Sequence, residues 1–166
     1  MRKLLMAALL AGVASAASAT VLIPGTGWQS DQVDAANTDS INSPWTFTLT
    51  NPGVFRLTDA FIVGDIYTVS GSFNVASTFF AGPAIPLSNP TADAAWLSAD
   101  FSHILVPLPA GVYSITIQGN GAGGLPAGFF VQLTQVPEPA TWAMMIAGFG
   151  LVGLGLRRRR QPVVGA

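Results

Sequence analysis

Cysteine is absent from this chain of 166 residues, and histidine and glutamate occur once each, as His103 and Glu138. Without cysteine there is no disulfide, thiolate zinc ligand, thiol nucleophile or redox pair. With one histidine, any His-dependent triad must run through His103, and a metal site has no second imidazole to recruit. Positive charge is equally scarce where it would matter. Arg56 is the one basic residue between positions 20 and 135, against Asp31, Asp34, Asp39, Asp59, Asp65, Asp93 and Asp100, for a net charge of −6 there and −1 over the whole chain. Nucleic acid and anionic lipid surfaces are bound through clustered Lys and Arg, so no nucleic-acid partner is expected. A cysteine-free domain of this size must rest on an apolar core, and it is long enough to bury one.

What is present is alternation. Gly, Pro, Asn and Asp punctuate short alternating runs, the mark of an all-β chain. Trp45, Phe47 and Leu49 alternate with Thr46, Thr48 and Thr50, and Asn51-Pro52-Gly53 turns the chain. A second extended stretch is expected over 54–63, with Phe55, Leu57, Phe61 and Val63 on one face and Asp59 as its polar exception. A third runs over 66–75, with Gly71-Ser72 as a bulge or bend. A proline-bearing loop follows over 79–90, and Thr91 caps a short helical turn through Leu97. Strands are expected over 101–106, 112–118 and 129–135, separated by turns at 107–111 and a glycine-rich loop at 119–128. Six to eight antiparallel strands in one domain predict a β-sandwich, with a jelly roll as one form of it.

Candidate chemistry is thin. Ser102 and His103 are neighbours on a strand and point to opposite faces, so they do not make a nucleophile–base pair. No serine of the domain sits in a nucleophile-elbow pattern. Aspartates are Ca²⁺ ligands; Asp59 and Asp65 would have to converge with Asp93 or Asp100, and no loop has EF-hand spacing. No aspartate pair stands out as a glycosidase pair. Trp45 belongs to a core strand. Trp28 and Trp96 lie in less regular stretches and are candidates for stacking on sugar rings. No catalytic, cofactor-binding or metal residue is assigned.

Both ends of the chain concern export. Arg2 and Lys3 precede an apolar run over 4–13, and Ala17-Ser18-Ala19 offers an A-x-A site, so residues 1–19 read as a signal peptide cut before Thr20. At the other end, Pro137-Glu138-Pro139 interrupts both strand and helix. An uncharged run over 140–156 follows, and Arg157, Arg158, Arg159 and Arg160 close it as a stop-transfer cluster on the cytoplasmic side. The run would span about 25 Å as a helix, at the short edge for a bilayer core of about 30 Å, and it is expected to be a transmembrane helix.

Pro137-Glu138-Pro139-Ala140-Thr141-Trp142-Ala143, the apolar run and the arginines closely resemble the PEP-CTERM sorting signal in its PEPxxWA form. The resemblance covers 136–160 and implies a sorting and processing motif at Pro137, Glu138, Pro139, Trp142 and Ala143. It also implies recognition by an exosortase, in carriers that are typically Gram-negative bacteria making exopolysaccharide and biofilm matrix. More weakly, the segments 57–67, 100–103 and 108–116 resemble small exported β-sandwich proteins, which supports the fold alone. The chain is therefore expected to comprise a signal peptide (1–19), an exported domain (20–135), a sorting signal (136–160) and a short tail (161–166). Its expected partners are the general secretion machinery, the inner membrane in transit, an exosortase and, in one reading, exopolysaccharide. The expected role is non-enzymatic, at the cell surface or in the extracellular matrix. A carbohydrate-binding module and, behind it, a secreted hydrolase are the alternatives.

Overall fold

The computed structural model describes residues 18–78, 91–136 and 139–159. These form ten strands and two helices: β1 (Thr20–Val21), β2 (Gln29–Val33), β3 (Thr38–Asp39), β4 (Trp45–Leu49), β5 (Gly53–Asp59), β6 (Tyr67–Gly71), β7 (Val75–Ala76), α1 (Ala92–Leu97), β8 (His103–Leu108), β9 (Gly111–Gly119), β10 (Ala127–Gln135) and α2 (Pro139–Arg159). They make two sheets. One is ordered β1-β4-β9-β6-β7, with β3 also on β9, and the other β2-β10-β5-β8. Between β4 and β10 every connection changes sheet except the β6–β7 hairpin, the winding of a jelly-roll sandwich. The longest strands, β9 and β10, each have a neighbour on both sides.

Alternation places the core. Trp45, Phe47 and Leu49 from β4, Ile115 and Ile117 from β9, and Tyr67 and Val69 from β6 point inward from the larger sheet. Phe55 and Leu57 of β5, Ala127, Phe129, Val131 and Leu133 of β10, and Ile104 and Leu108 of β8 meet them from the other. A satellite cluster of Val63, Ala95 and Phe101 seats α1.

Several expectations change. The sandwich is not wholly antiparallel, because β1 pairs with β4 in parallel, Thr20 opposite Trp45. The strand expected over 54–63 stops at Asp59. Ile62 N–H donates to Ala60 O at 2.8 Å across Phe61, whose φ is +68°, so the chain turns tightly and leaves Phe61 half exposed instead of on the core face. The stretch over 66–75 is a hairpin, with Val69 opposite Val75. Its bend is at Gly71, where φ is +119° and a Cβ would lie 2.5 Å from Ser114 O. The expected loop over 79–90 lies outside the described residues.

The expectation of a membrane-spanning helix over 140–156 is not carried. Helix α2 forms, but among the described residues no helix is long and apolar enough to cross a membrane. Its uncharged part is short for a bilayer core, it carries Gly148, Gly150, Gly153 and Gly155, and Arg157 to Arg159 occupy its last turn. Pro139 opens the helix; proline is tolerated there because a first-turn N–H has no intrahelical partner.

Candidate functional site

The outer face of the four-stranded sheet gathers the chain's scarcest side chains. Along β10, Phe129, Val131 and Leu133 enter the core, so Gly128, Phe130 and Gln132 point outward. Strand register sets Gln132 opposite Arg56 and Arg56 opposite Leu105. The adjacent row reads Ser30, Phe130, Thr58 and His103. Trp28 precedes β2 with the parity of Ser30 and shares that face. Gly128 is glycine for a steric reason, since a Cβ there would come within 2.7 Å of the Phe61 ring. That ring in turn lies 5.8 Å from Phe130.

Helix α1 lies against β5 and completes the cluster. Thr91 caps it, its hydroxyl accepting from Ala94 N–H at 3.2 Å. Trp96 then stands with its ring centroid 5.7 Å from Trp28 and 5.2 Å from His103. The Trp28 indole N–H donates to Asp93 Oδ1 at 2.7 Å, which ties the segment before β2 to α1. The Arg56 guanidinium carbon lies 5.3 Å from the Trp96 ring centre, a cation–π distance. Arg56 Nη1 donates to Gln132 Oε1 across a long 3.4 Å, and its Nε is buried without a partner. Among the described residues, no carboxylate pairs with Arg56. The two tryptophans singled out by sequence are thus brought together, and with them Arg56, Gln132, Phe130 and Phe61, none of which the sequence marked as a site residue. Arg56 was conspicuous as the domain's lone cation, but only strand register reveals its neighbours.

A second polar cluster closes one end of the sandwich. Asp59 is fully buried; its Oδ1 accepts from Ala60 N–H at 2.8 Å, and its Oδ2 from Gly64 and Asp65 N–H at 3.2 and 3.3 Å. Loss of solvent, then the nearby charge of Asp65, pushes its carboxyl up to about 8; the three N–H groups oppose this without offsetting it. Asp65 is also raised by burial, with Gly123 N–H pulling the other way from 2.8 Å. The Tyr67 hydroxyl donates to Gly128 O at 2.8 Å and lies 3.4 Å from Asp59 Oδ1. Burial and both aspartates raise Tyr67, keeping it neutral. An open groove of about 560 Å³ borders this end, lined by Asp31, Asn42, Phe61, Ile62 and Asp65 among others.

Asp59 and Asp65 meet, but neither Asp93 nor Asp100 joins them, as a calcium site there would have required. Asp93 is turned toward Trp28, and Asp100 Oδ2 accepts from Ser98 Oγ. Among the described residues no group of three or more His, Asp or Glu side chains is placed to hold a metal ion. Ser102 is buried and donates to Asp65 O at 2.5 Å, while the His103 ring packs on Trp96 on the other face.

At the chain ends, Ala19 is exposed just before β1, and Ala17 lies outside the described residues. Val136 N–H donates to Pro52 O at 2.9 Å, so the fold holds the chain up to the residue before the Pro-Glu-Pro segment. Pro137, Glu138 and Arg160 lie outside the described residues. Pro139 starts α2, Trp142, Ala143 and Arg157 are exposed on it, and Arg158 and Arg159 end it.

No curated protein matches the chain. Among solved structures it is similar to the crystal structure of the pre-peptidase C-terminal domain of collagenase from Bacillus anthracis, at 6% identity. That match covers 72% of this chain and 98% of the other, with a TM-score of 0.44. Residues 135–160 match the family model of the PEP-CTERM protein-sorting motif. With the proline-bounded segment, the helix and the arginine cluster all inside that match, the chain carries a PEP-CTERM sorting motif, which implies an exported protein sorted by an exosortase.

Proposed function

We propose that this protein is an interaction or structural component of the cell surface or extracellular matrix, and that its sandwich is non-enzymatic. The route runs through the general secretion machinery, an inner-membrane intermediate and an exosortase acting at or near Pro137-Glu138-Pro139. The observation that carries this reading is the sorting-motif match over 135–160, which begins where β10 ends. Mass spectrometry of the protein recovered outside native cells tests it. The expected product begins near Thr20 and lacks everything beyond the Pro-Glu-Pro segment. Extracellular protein that retains Arg157 to Arg160 would overturn the route.

A second reading, a carbohydrate-binding module of an exopolysaccharide matrix, is favoured by one contact: Trp28 and Trp96 meet at 5.7 Å on the outer sheet face, and both remain partly exposed. Pull-down on neutral and acidic polysaccharides is expected to retain the protein and to lose it in Trp28→Ala or Trp96→Ala. Retention on none of them would remove this reading. A secreted hydrolase is the weakest alternative, since Ser102 and His103 face opposite ways.

A further inference from the structure

We infer that Arg56, framed by Trp28, Trp96 and Gln132, forms an anionic subsite on the outer sheet face that takes a carboxylate-bearing polysaccharide of the uronic-acid type. The inference rests on the carbohydrate-binding reading and adds the charge class of the ligand. Seven aspartates share the domain with a single cation, so a carboxylate partner for Arg56 would be the ordinary outcome. Instead, among the described residues, its guanidinium lies against Trp96, its contact to Gln132 is long, and no carboxylate meets it. A guanidinium is permanently charged and presents five N–H donors in a plane that matches the two oxygens of a carboxylate. Arg56 is partly exposed and its Nε is out of reach of a ligand, so the Nη N–H groups not taken by Gln132 are the ones that would meet a planar anion.

The surroundings narrow the anion to one carried on a sugar chain. Rings of Trp28, Trp96 and His103 succeed one another at 5.7 and 5.2 Å, giving apolar faces beside the charge for the C–H faces of pyranose rings. The Gln132 amide, which can both donate and accept, stands between Arg56 and the sheet edge for hydroxyl groups. The acidic side chain of the cluster, Asp93, has one oxygen engaged by the Trp28 indole. Elsewhere the domain is acidic and repels polyanions, so attraction must be local to this face.

The test is calorimetric titration of the processed extracellular protein with polygalacturonate and with its fully methyl-esterified, uncharged form. The acidic polymer is expected to bind, and esterification to weaken binding by about tenfold or more, in line with loss of a charge-assisted contact. Arg56→Gln should weaken the acidic polymer by a similar factor, and by clearly more than it weakens the neutral one. Arg56→Lys should not fully restore it, because charge without the planar fork is not equivalent. Trp96→Ala should weaken both polymers. The ester comparison needs no variant, so a misfolded Arg56 substitution leaves the test intact. Equal binding of both polymers overturns the carboxylate subsite and leaves the carbohydrate reading standing. Binding of neither also overturns it, and the carbohydrate reading then rests on the wider polysaccharide pull-down.

Discussion

Asp59 sits where a strand ends and a tight turn begins, with its carboxyl closed off from water and a second carboxyl beside it. In the unfolded chain it titrates at about 3.9; in the fold its value is pushed up to about 8. Because the folded state holds the proton more tightly, the associated stability is fully present below about pH 3.9 and is lost as pH rises through about 8. Asp65 is raised too and adds in the same direction. Thermal denaturation across pH 5 to 9 is therefore expected to show a falling midpoint, with a slope approaching about 1.4 kcal/mol per pH unit from Asp59 alone. Asp59→Asn should flatten the slope, whatever it does to absolute stability. A midpoint that rises over this range, or a slope unchanged by Asp59→Asn, would contradict the assignment. None of this was visible in the sequence, where Asp59 read as an aspartate on an otherwise apolar strand face. Its side-chain partners include Gly64, in the turn after β5, and Tyr67, at the start of β6, which sequence spacing does not bring to it.

Among the elements, those with unbroken alternation were legible. The strand at Trp45–Leu49, the pattern of Tyr113, Ile115 and Ile117, and the last strand to Gln135 all appear where period-2 burial required them. The Thr91 cap was equally plain, because a hydroxyl before a short apolar turn has one structural use. Strand β2 was not legible: its sequence, Gln29-Ser30-Asp31-Gln32-Val33, has only one apolar residue, and it is a strand because β10 offers an edge to pair with. The two-residue strands β1, β3 and β7 are tertiary products of the same kind, too short to leave a periodic trace. The outer aromatic cluster was half legible. Trp28 and Trp96 drew notice as irregularly placed tryptophans, but their meeting depends on α1 folding back against β5, across 68 residues of chain that carry no local signal of it.

Taken whole, the protein is a sandwich followed by an appendage. Side chains of α2 from Trp142 to Arg157 are all exposed, so the helix lends the sandwich no apolar burial. A chain ended after Val136 is expected to melt within about 3 °C of the full chain, less than about 1 kcal/mol at this size. A larger fall, read by circular dichroism, would mean that the tail supports the fold. Strand β10, from which the tail departs, is flanked on both sides, by β2 over five residue pairs and by β5 over seven. Its interstrand hydrogen bonds run perpendicular to the strand. A pull applied to its C-terminal end along the strand axis would load both ladders in shear, all bonds at once, instead of unzipping them one by one. The C-terminal end of the sandwich is thus a strand paired on both sides, which resists an axial pull better than an edge strand would.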